Sequence, residues 1–228
     1  MTPKKVLITG ASGGIGGAIA KKLRAEGYEL FLHAHTNQSG FLSADLADEK
    51  DIDRLLTAAE DADIFIHSVS APIAHAEVAK KTWHDFEQHL SVQVKAFFCI
   101  AQKLLPRMQA KKYGKIIPIV TEYVVGRAPT QIADYVSAKY ALLGLSKCIA
   151  AEYGRYGISC NAVSPGTTET KLTAHLPKKL LEMIAHDSPR GRLTTTDEIA
   201  DVVTFLCSDA ARGINGENIL VTGGNITH

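Results

Sequence analysis

The run Thr9-Gly10-Ala11-Ser12-Gly13-Gly14-Ile15-Gly16 directly follows the apolar stretch Val6-Leu7-Ile8. It restricts the fold more than any other part of the chain. An apolar strand that stops at a glycine turn and runs into a helix is the opening of a βα unit. Glycines let such a turn bend tightly and approach a ligand, and the first N–H groups of the helix lack intrahelical acceptors. A turn of this kind can hold the pyrophosphate of a dinucleotide. Gly10, Gly14 and Gly16 follow T-G-x-x-x-G-x-G rather than the commoner G-x-G-x-x-G spacing. A strand–glycine–helix turn also occurs as plain structure, so the rest of the chain has to decide.

Strand and helix patterns alternate from end to end. Residues 4–9, 29–35, 41–44, 63–69, 115–121, 158–163 and 218–221 read as strands. Residues 14–26, 48–59, 82–110, 133–153, 176–186 and 195–208 read as helices, with Pro106 expected to end the regular part of the long one. This order predicts a single α/β domain over 1–228, a Rossmann-type doubly wound parallel sheet with helices on both faces. Only Thr36 to Gly40 separate the second strand from the third, too few for the ten or so residues of a helical crossover. The covering helix after the second strand is therefore expected to be shortened or missing.

The 228 residues carry a net charge of +1, which gives no reason to expect nucleic acid or an anionic membrane as partner. No apolar run approaches membrane-spanning length. Cys99, Cys148, Cys160 and Cys207 are scattered without C-x-x-C pairs. Neither a metal site nor a disulfide framework is expected, and four buried thiols in a reducing cytoplasm are.

Tyr135-Val136-Ser137-Ala138-Lys139 places a phenol and an ammonium on one face of a helix. A nearby cation favours the phenolate and brings a tyrosine toward useful acid–base chemistry. Y-x-x-x-K alone is common on exposed helices. The ordered set of glycine turn, strand ending in Thr121, Tyr135/Lys139, and strand leading into Ser164-Pro165-Gly166 is not. With Asp45-Leu46, Asn161–Thr170, Phe205–Asp209 and Gly216…Gly223-Gly224, it resembles the short-chain dehydrogenase/reductase family over nearly the whole length. The β-ketoacyl-acyl-carrier-protein reductase-like members are the nearest in pattern.

That resemblance implies a nicotinamide cofactor and a homotetramer, or a dimer, built on the helices around residues 90–110 and 135–153. Apolar Phe97, Phe98, Leu142, Leu143 and Leu145 are the expected contact residues. It implies that Tyr135 exchanges a proton with the substrate oxygen. Lys139 would hold the nicotinamide ribose and lower the tyrosine's pKa, and Thr121 would stand where the family has a serine. Gln93 falls where the family has an active-site asparagine. Gly10, Ser12, Gly14, Ile15, Gly16, Asp45, Leu46 and Ser68 would bind the adenosine and pyrophosphate half. Pro165, Gly166, Thr168 and Thr170 would line the carboxamide. The implied substrate is a ketone, small or carrier-linked, with Lys111, Lys112 and Arg155 near positions that dock an acidic carrier.

The chain departs from the family at several points. Its Asn-Asn-Ala-Gly segment is here His67-Ser68-Val69-Ser70, a His-Ser pair similar to that of bacterial enoyl-acyl-carrier-protein reductases. A hydrogen-bonded structural role suits His67 better than a catalytic one. Gln93 is one methylene longer than asparagine, which shifts or removes a water relay to Lys139. Pro118 lies in a central strand, where a bulge is expected. Counting forward from Gly114 puts Thr121 in the serine position; counting back from Tyr135 puts Glu122 there. A hydroxyl can donate to a carbonyl, whereas an ionised carboxylate repels the developing alkoxide, so Thr121 is expected to face the site.

Cofactor choice is read after the second strand, where a carboxylate would bond ribose hydroxyls and repel a 2′-phosphate. His35-Thr36-Asn37 carries none, which favours NADP(H) without excluding NAD(H). The sequence therefore reads as an NADP(H)-dependent reductase of a 3-oxoacyl thioester. The alternatives are a short-chain reductase of another small ketone or sugar, or a cofactor-binding subunit with little turnover.

Overall fold

The computed structural model describes residues 3–174 and 176–227. Strand β1 (Lys5–Thr9) runs into helix α1 (Gly14–Ala25), followed by β2 (Glu29–Ala34) and a short β3 (Leu42–Ser43). Helix α2 (Glu49–Ala59), β4 (Ile64–His67), α3 (Trp83–His89), α4 (Ala96–Lys111) and β5 (Gly114–Pro118) come next. The last third holds α5 (Ala133–Tyr153), β6 (Ile158–Cys160), β7 (Ala162–Pro165), α6 (Lys178–Asp187), α7 (Thr196–Cys207) and β8 (Asn218–Val221).

Six strands form a parallel sheet in the order β3-β2-β1-β4-β5-β6, with β7 and β8 paired beyond it. The order reverses between β1 and β4, and the crevice at their carboxyl ends is where ligands bind in sheets of this kind. β2 passes to β3 with no helix between them, as the short spacing required. Alternation along β1 sends Leu7 to one face, with Leu55, Leu104 and Ile149 of α2, α4 and α5. Val6 and Ile8 go to the other, with Ile19 of α1 and Val203 of α7. No helix among the described residues is long and apolar enough to cross a membrane.

Five sequence expectations need correction. Pro106 does not end its helix, because α4 continues to Lys111. The proline is exposed, and the carbonyl it leaves without a partner belongs to exposed Gln102, where water can serve it. Leu104, Leu105 and Met108 meanwhile hold the turn against the sheet. The segment 82–110 is not one α-helix: a π-helical turn, Leu90–Lys95, separates α3 from α4. Pro118 makes no bulge. Ile116↔Cys160 and Ile119↔Val163 keep the same register offset on either side of it. The missing donor falls at the break between β6 and β7, where Asn161 bonds Ile214 and Glu217 instead of extending one strand. Phe97 and Leu142 are fully buried in the core rather than on an outer face, while Phe98 is exposed. Among the cysteines, Cys160 and Cys207 are buried, but Cys148 is exposed on α5.

Candidate functional site

The carboxyl ends of β1, β4, β5 and β7 open into a cleft of about 1050 Å³. Its floor is the glycine turn. Gly10 has φ 73°, and a Cβ there would lie 2.2 Å from the Ser68 carbonyl oxygen, so this position is closed to any side chain. Gly14 allows a second close approach, since a Cβ would sit 2.9 Å from Thr170 Cγ2. The segment after β7 thus folds down onto the first turn of α1. That turn has no side-chain cap and no acidic residue. By contrast, Asp48, Thr82 and Thr195 cap α2, α3 and α7. An uncapped helix start facing a cleft suits an anion.

Gly10, Ser12, Gly14, Ile15 and Gly16 line this floor, with His35 and Ser68 beside them. Pro165, Gly166, Thr168 and Thr170 line the opposite side. Thr168 Oγ1 donates to the Gly166 carbonyl at 2.9 Å, which tightens the turn after β7. Thr36 and Asn37 are exposed in the short connection after β2 and lie off the cleft lining. Asp45 also lies away from it: its carboxylate accepts from Ala47 N at 2.9 Å, a local turn. Leu46 is 3% exposed and packs in the core.

Tyr135, Lys139 and Thr121 come together on one wall. The Thr121 side chain lies near enough to the Tyr135 phenol to favour its ionised form, while the Glu122 carboxylate, also on the cleft lining, is held by other partners. Glu122 accepts from Thr167 N at 3.2 Å and from Asn225 Nδ2 at 2.9 Å. The extra residue between β5 and α5 is taken up beyond Thr121, in a short 3-10 turn (Glu122–Val124) and a loop in which Gln131 has φ 69°. Thr121→Ser is expected to keep most of the activity and Thr121→Val to lose most of it. Glu122→Gln should change it little, because an amide oxygen still accepts from Thr167. Steady-state turnover of the three variants checks this, and a dead Glu122→Gln beside an active Thr121→Val would reverse the register.

Lys139 Nζ donates to the Ile119 carbonyl at 2.8 Å and lies 5.7 Å from the centre of the Tyr135 ring. Burial sets both protonation states. It pushes the phenol up to about 12 and the ammonium down to about 7. Contrary to the sequence expectation, Lys139 is not among the groups that shift the tyrosine: desolvation raises it, and the neighbouring Thr121 side chain opposes that rise without offsetting it. Gln93 does not reach Lys139 either. It is fully buried in the π-helical turn, with Nε2 bonded to His89 Nδ1 at 2.8 Å and Oε1 without a partner.

His67 is buried, bonded through Nδ1 to Thr9 Oγ1 at 2.8 Å and packed against Phe65 and Phe97. Burial pushes it down to about 3, so it is a neutral structural residue. Lys111 pairs with Asp63, and with Lys112 and Arg155 it sits at the amino ends of β4, β5 and β6, opposite the cleft. A carrier docked there would be far from Tyr135.

Sequence reasoning missed His33, Lys81, His89 and Asp134. His33 is 2% exposed and accepts from Gly10 N at 3.2 Å through Nδ1. Its Nε2 contacts the Ala44 carbonyl at 3.0 Å and is the donor of that pair. One neutral ring therefore braces the glycine turn against the third strand, on the edge that lacks a covering helix. A histidine on the inward-facing register of β2 was the available signal.

The fold, the glycine turn and the switch-point cleft define a dinucleotide-binding oxidoreductase. The family described as "Enoyl-(Acyl carrier protein) reductase" matches residues 10–225. A Rickettsia felis protein named 3-oxoacyl-(acyl-carrier-protein) reductase FabG is 31% identical over 98% of this chain and 97% of its own length. An oxidoreductase of Burkholderia thailandensis from the short-chain dehydrogenase/reductase family has a structure that superimposes with TM-score 0.89 at 27% identity, covering 99% and 93% of the two chains. A gluconate 5-dehydrogenase of Burkholderia cenocepacia, solved with NADP and tartrate, gives 0.89 at 26% identity over 99% and 96%. The chain belongs to the short-chain dehydrogenase/reductase family and is an oxidoreductase.

Proposed function

We propose that the chain is an NADP(H)-dependent reductase that transfers a hydride between nicotinamide and a ketone or secondary alcohol, with a 3-oxoacyl thioester as substrate. The observation that carries this reading is Tyr135, Thr121 and Lys139 on one wall of a cleft floored by an uncapped glycine turn. The residues suit the dinucleotide. Gly10, Ser12, Gly14, Ile15 and Gly16 would hold its pyrophosphate, Ser68 and His35 its adenosine side, and Pro165, Gly166, Thr168 and Thr170 its carboxamide, with Lys139 on the ribose. Bound there, the nicotinamide supplies the hydride. Thr121 orients the carbonyl oxygen, and the protonated Tyr135 phenol donates to the oxygen as negative charge develops on it.

Apolar Pro72, Ile73, Ile132, Leu172, Leu176 and Leu180 predominate on the substrate side, beside polar His75, Gln131 and Lys171. That favours an acyl chain over a polyol, in line with the name of the Rickettsia relative. The decisive assay is NADPH oxidation driven by a 3-oxoacyl-pantetheine thioester. No rate above the thioester-free background would overturn the reading, and NADP-dependent gluconate oxidation instead would move it to the sugar class.

Cofactor preference follows from His35-Thr36-Asn37, where no carboxylate opposes a 2′-phosphate. NADPH is expected to bind more tightly than NADH when both dissociation constants are measured by fluorescence at one ionic strength. Equal or reversed values would implicate the ribose hydroxyls. Exposed Phe98 and Tyr140 on the outer faces of α4 and α5 support a homotetramer or dimer. A monomer mass by light scattering at micromolar concentration would contradict it. The free thiols of Cys160 and Cys207 suit a reducing cytoplasm.

A further inference from the structure

Behind the catalytic wall lies a set of charged and polar side chains that the proposed chemistry does not use. Lys81 and Asp134 form an ion pair at 2.6 Å, with their side chains only 1% and 2% exposed. Lys81 Nζ also donates to the Ala74 carbonyl. His89 Nε2 lies 3.9 Å from the same Asp134 oxygen, and its ring meets the Tyr135 ring edge to face at 5.8 Å between centres. His89 Nδ1 continues to Gln93.

A buried ion pair is a poor way to gain stability, because desolvating two charges offsets most of their attraction. Its position is more informative than its energy. Asp134 immediately precedes Tyr135 in the first turn of α5. Lys81 ends the connection from β4 to α3, of which Pro72 and Ile73 line the cleft and Ile73 packs beside Tyr135. Ala76 N donates to the Gln131 carbonyl at 3.0 Å, a second tie between this loop and the approach to α5.

We propose that Lys81 and Asp134 are positioning residues whose buried ion pair locks the substrate-side loop, residues 71–81, onto the helix that carries Tyr135. This rests on the reductase reading above. The pair has a second consequence through His89. The groups facing that ring are Asp134, Tyr135 and Lys139 from α5, Lys81 from the loop, Asp85 from its own helix and neutral Gln93 from the π-helical turn. Lys81 neutralises the carboxylate beside His89, and burial then keeps the imidazole uncharged behind the phenol. Gln93 agrees with this state, since its amide N–H donates to an unprotonated Nδ1.

The test uses the full chain carrying Lys81→Met and, separately, Lys81→Met with Asp134→Asn. In Lys81→Met the carboxylate loses its cation and His89 becomes its proton donor. The His89 ring signal, identified by its loss in His89→Gln, should titrate about one pH unit higher or more by NMR, a tenfold gain in proton affinity. The KM for the thioester should rise about tenfold, while the NADPH dissociation constant changes by less than about twofold. In the double variant the His89 titration should return to the wild-type position with KM still raised, because both charges are gone but the lock is not restored. A folded Lys81→Met with unchanged KM and an unchanged His89 titration overturns the inference. If Lys81→Met does not fold, the uncharged double variant decides by KM, and a wild-type value overturns it. Failure of the reductase reading looks different: the wild-type chain would reduce no thioester. The His89 shift, together with faster proteolysis of loop 71–81 in Lys81→Met, would then decide the lock alone.

Discussion

Tyr135→Phe is expected to lower turnover by about two to four orders of magnitude, the usual scale for losing a positioned general acid. The change removes one hydroxyl from a side chain that is 7% exposed and leaves the ring against Ile132 and Val136. Stability should change by no more than about 1 kcal/mol, the net worth of one hydrogen bond. The NADPH dissociation constant should hardly move. With the phenol pushed up to about 12, the residue is a proton donor at neutral pH, so ketone reduction needs no prior ionisation. Alcohol oxidation needs the phenolate, and its rate should climb with pH through the alkaline range. Single-turnover measurements in both directions check this, and a Phe variant with near-normal kcat would refute the assignment.

Lys139→Met should damage both turnover, by about a hundredfold or more, and cofactor affinity, by about tenfold, if one ammonium serves both. It also carries a stability signature. The folded-state pKa of about 7 lies below the ordinary lysine value of about 10.5, so the unfolded chain binds more protons between those limits. Lys139 therefore makes the cofactor-free protein more stable as pH rises from about 7 toward 10.5. Urea midpoints at about pH 7 and pH 9 should show that rise, and Lys139→Met should flatten it relative to wild type. The comparison cancels other titrating groups, such as Cys207, that both proteins share. A slope unchanged by the substitution would mean that the ammonium is not desolvated.

Much of the fold was legible because it depends on local order. The periodicities of β1, α1 and α2, and the short Thr36–Gly40 connection, specify a parallel sheet with one helix missing before any contact is known. The glycine turn and the Tyr135/Lys139 spacing were legible for the same reason, since each lies within one element. Donor chemistry favours Thr121 over Glu122, and in the structure both line the cleft, with Glu122 tied to Thr167 and Asn225. The errors share another cause: they depend on what lies across space. Pro106 stays in its helix because buried neighbours hold the turn and the carbonyl it leaves unpaired belongs to solvent-exposed Gln102. Pro118 needs no bulge because its missing donor meets a gap between two other strands. Gln93 pairs with His89 rather than Lys139 because a π-helical turn sets its direction. The Lys81–Asp134 pair joins residues 53 positions apart. Sequence periodicity determined which elements form and in what order, because hydrogen bonding and apolar alternation act over a few residues. Only tertiary packing decided which polar groups are buried together and in what protonation state, because desolvation depends on every element that closes around them.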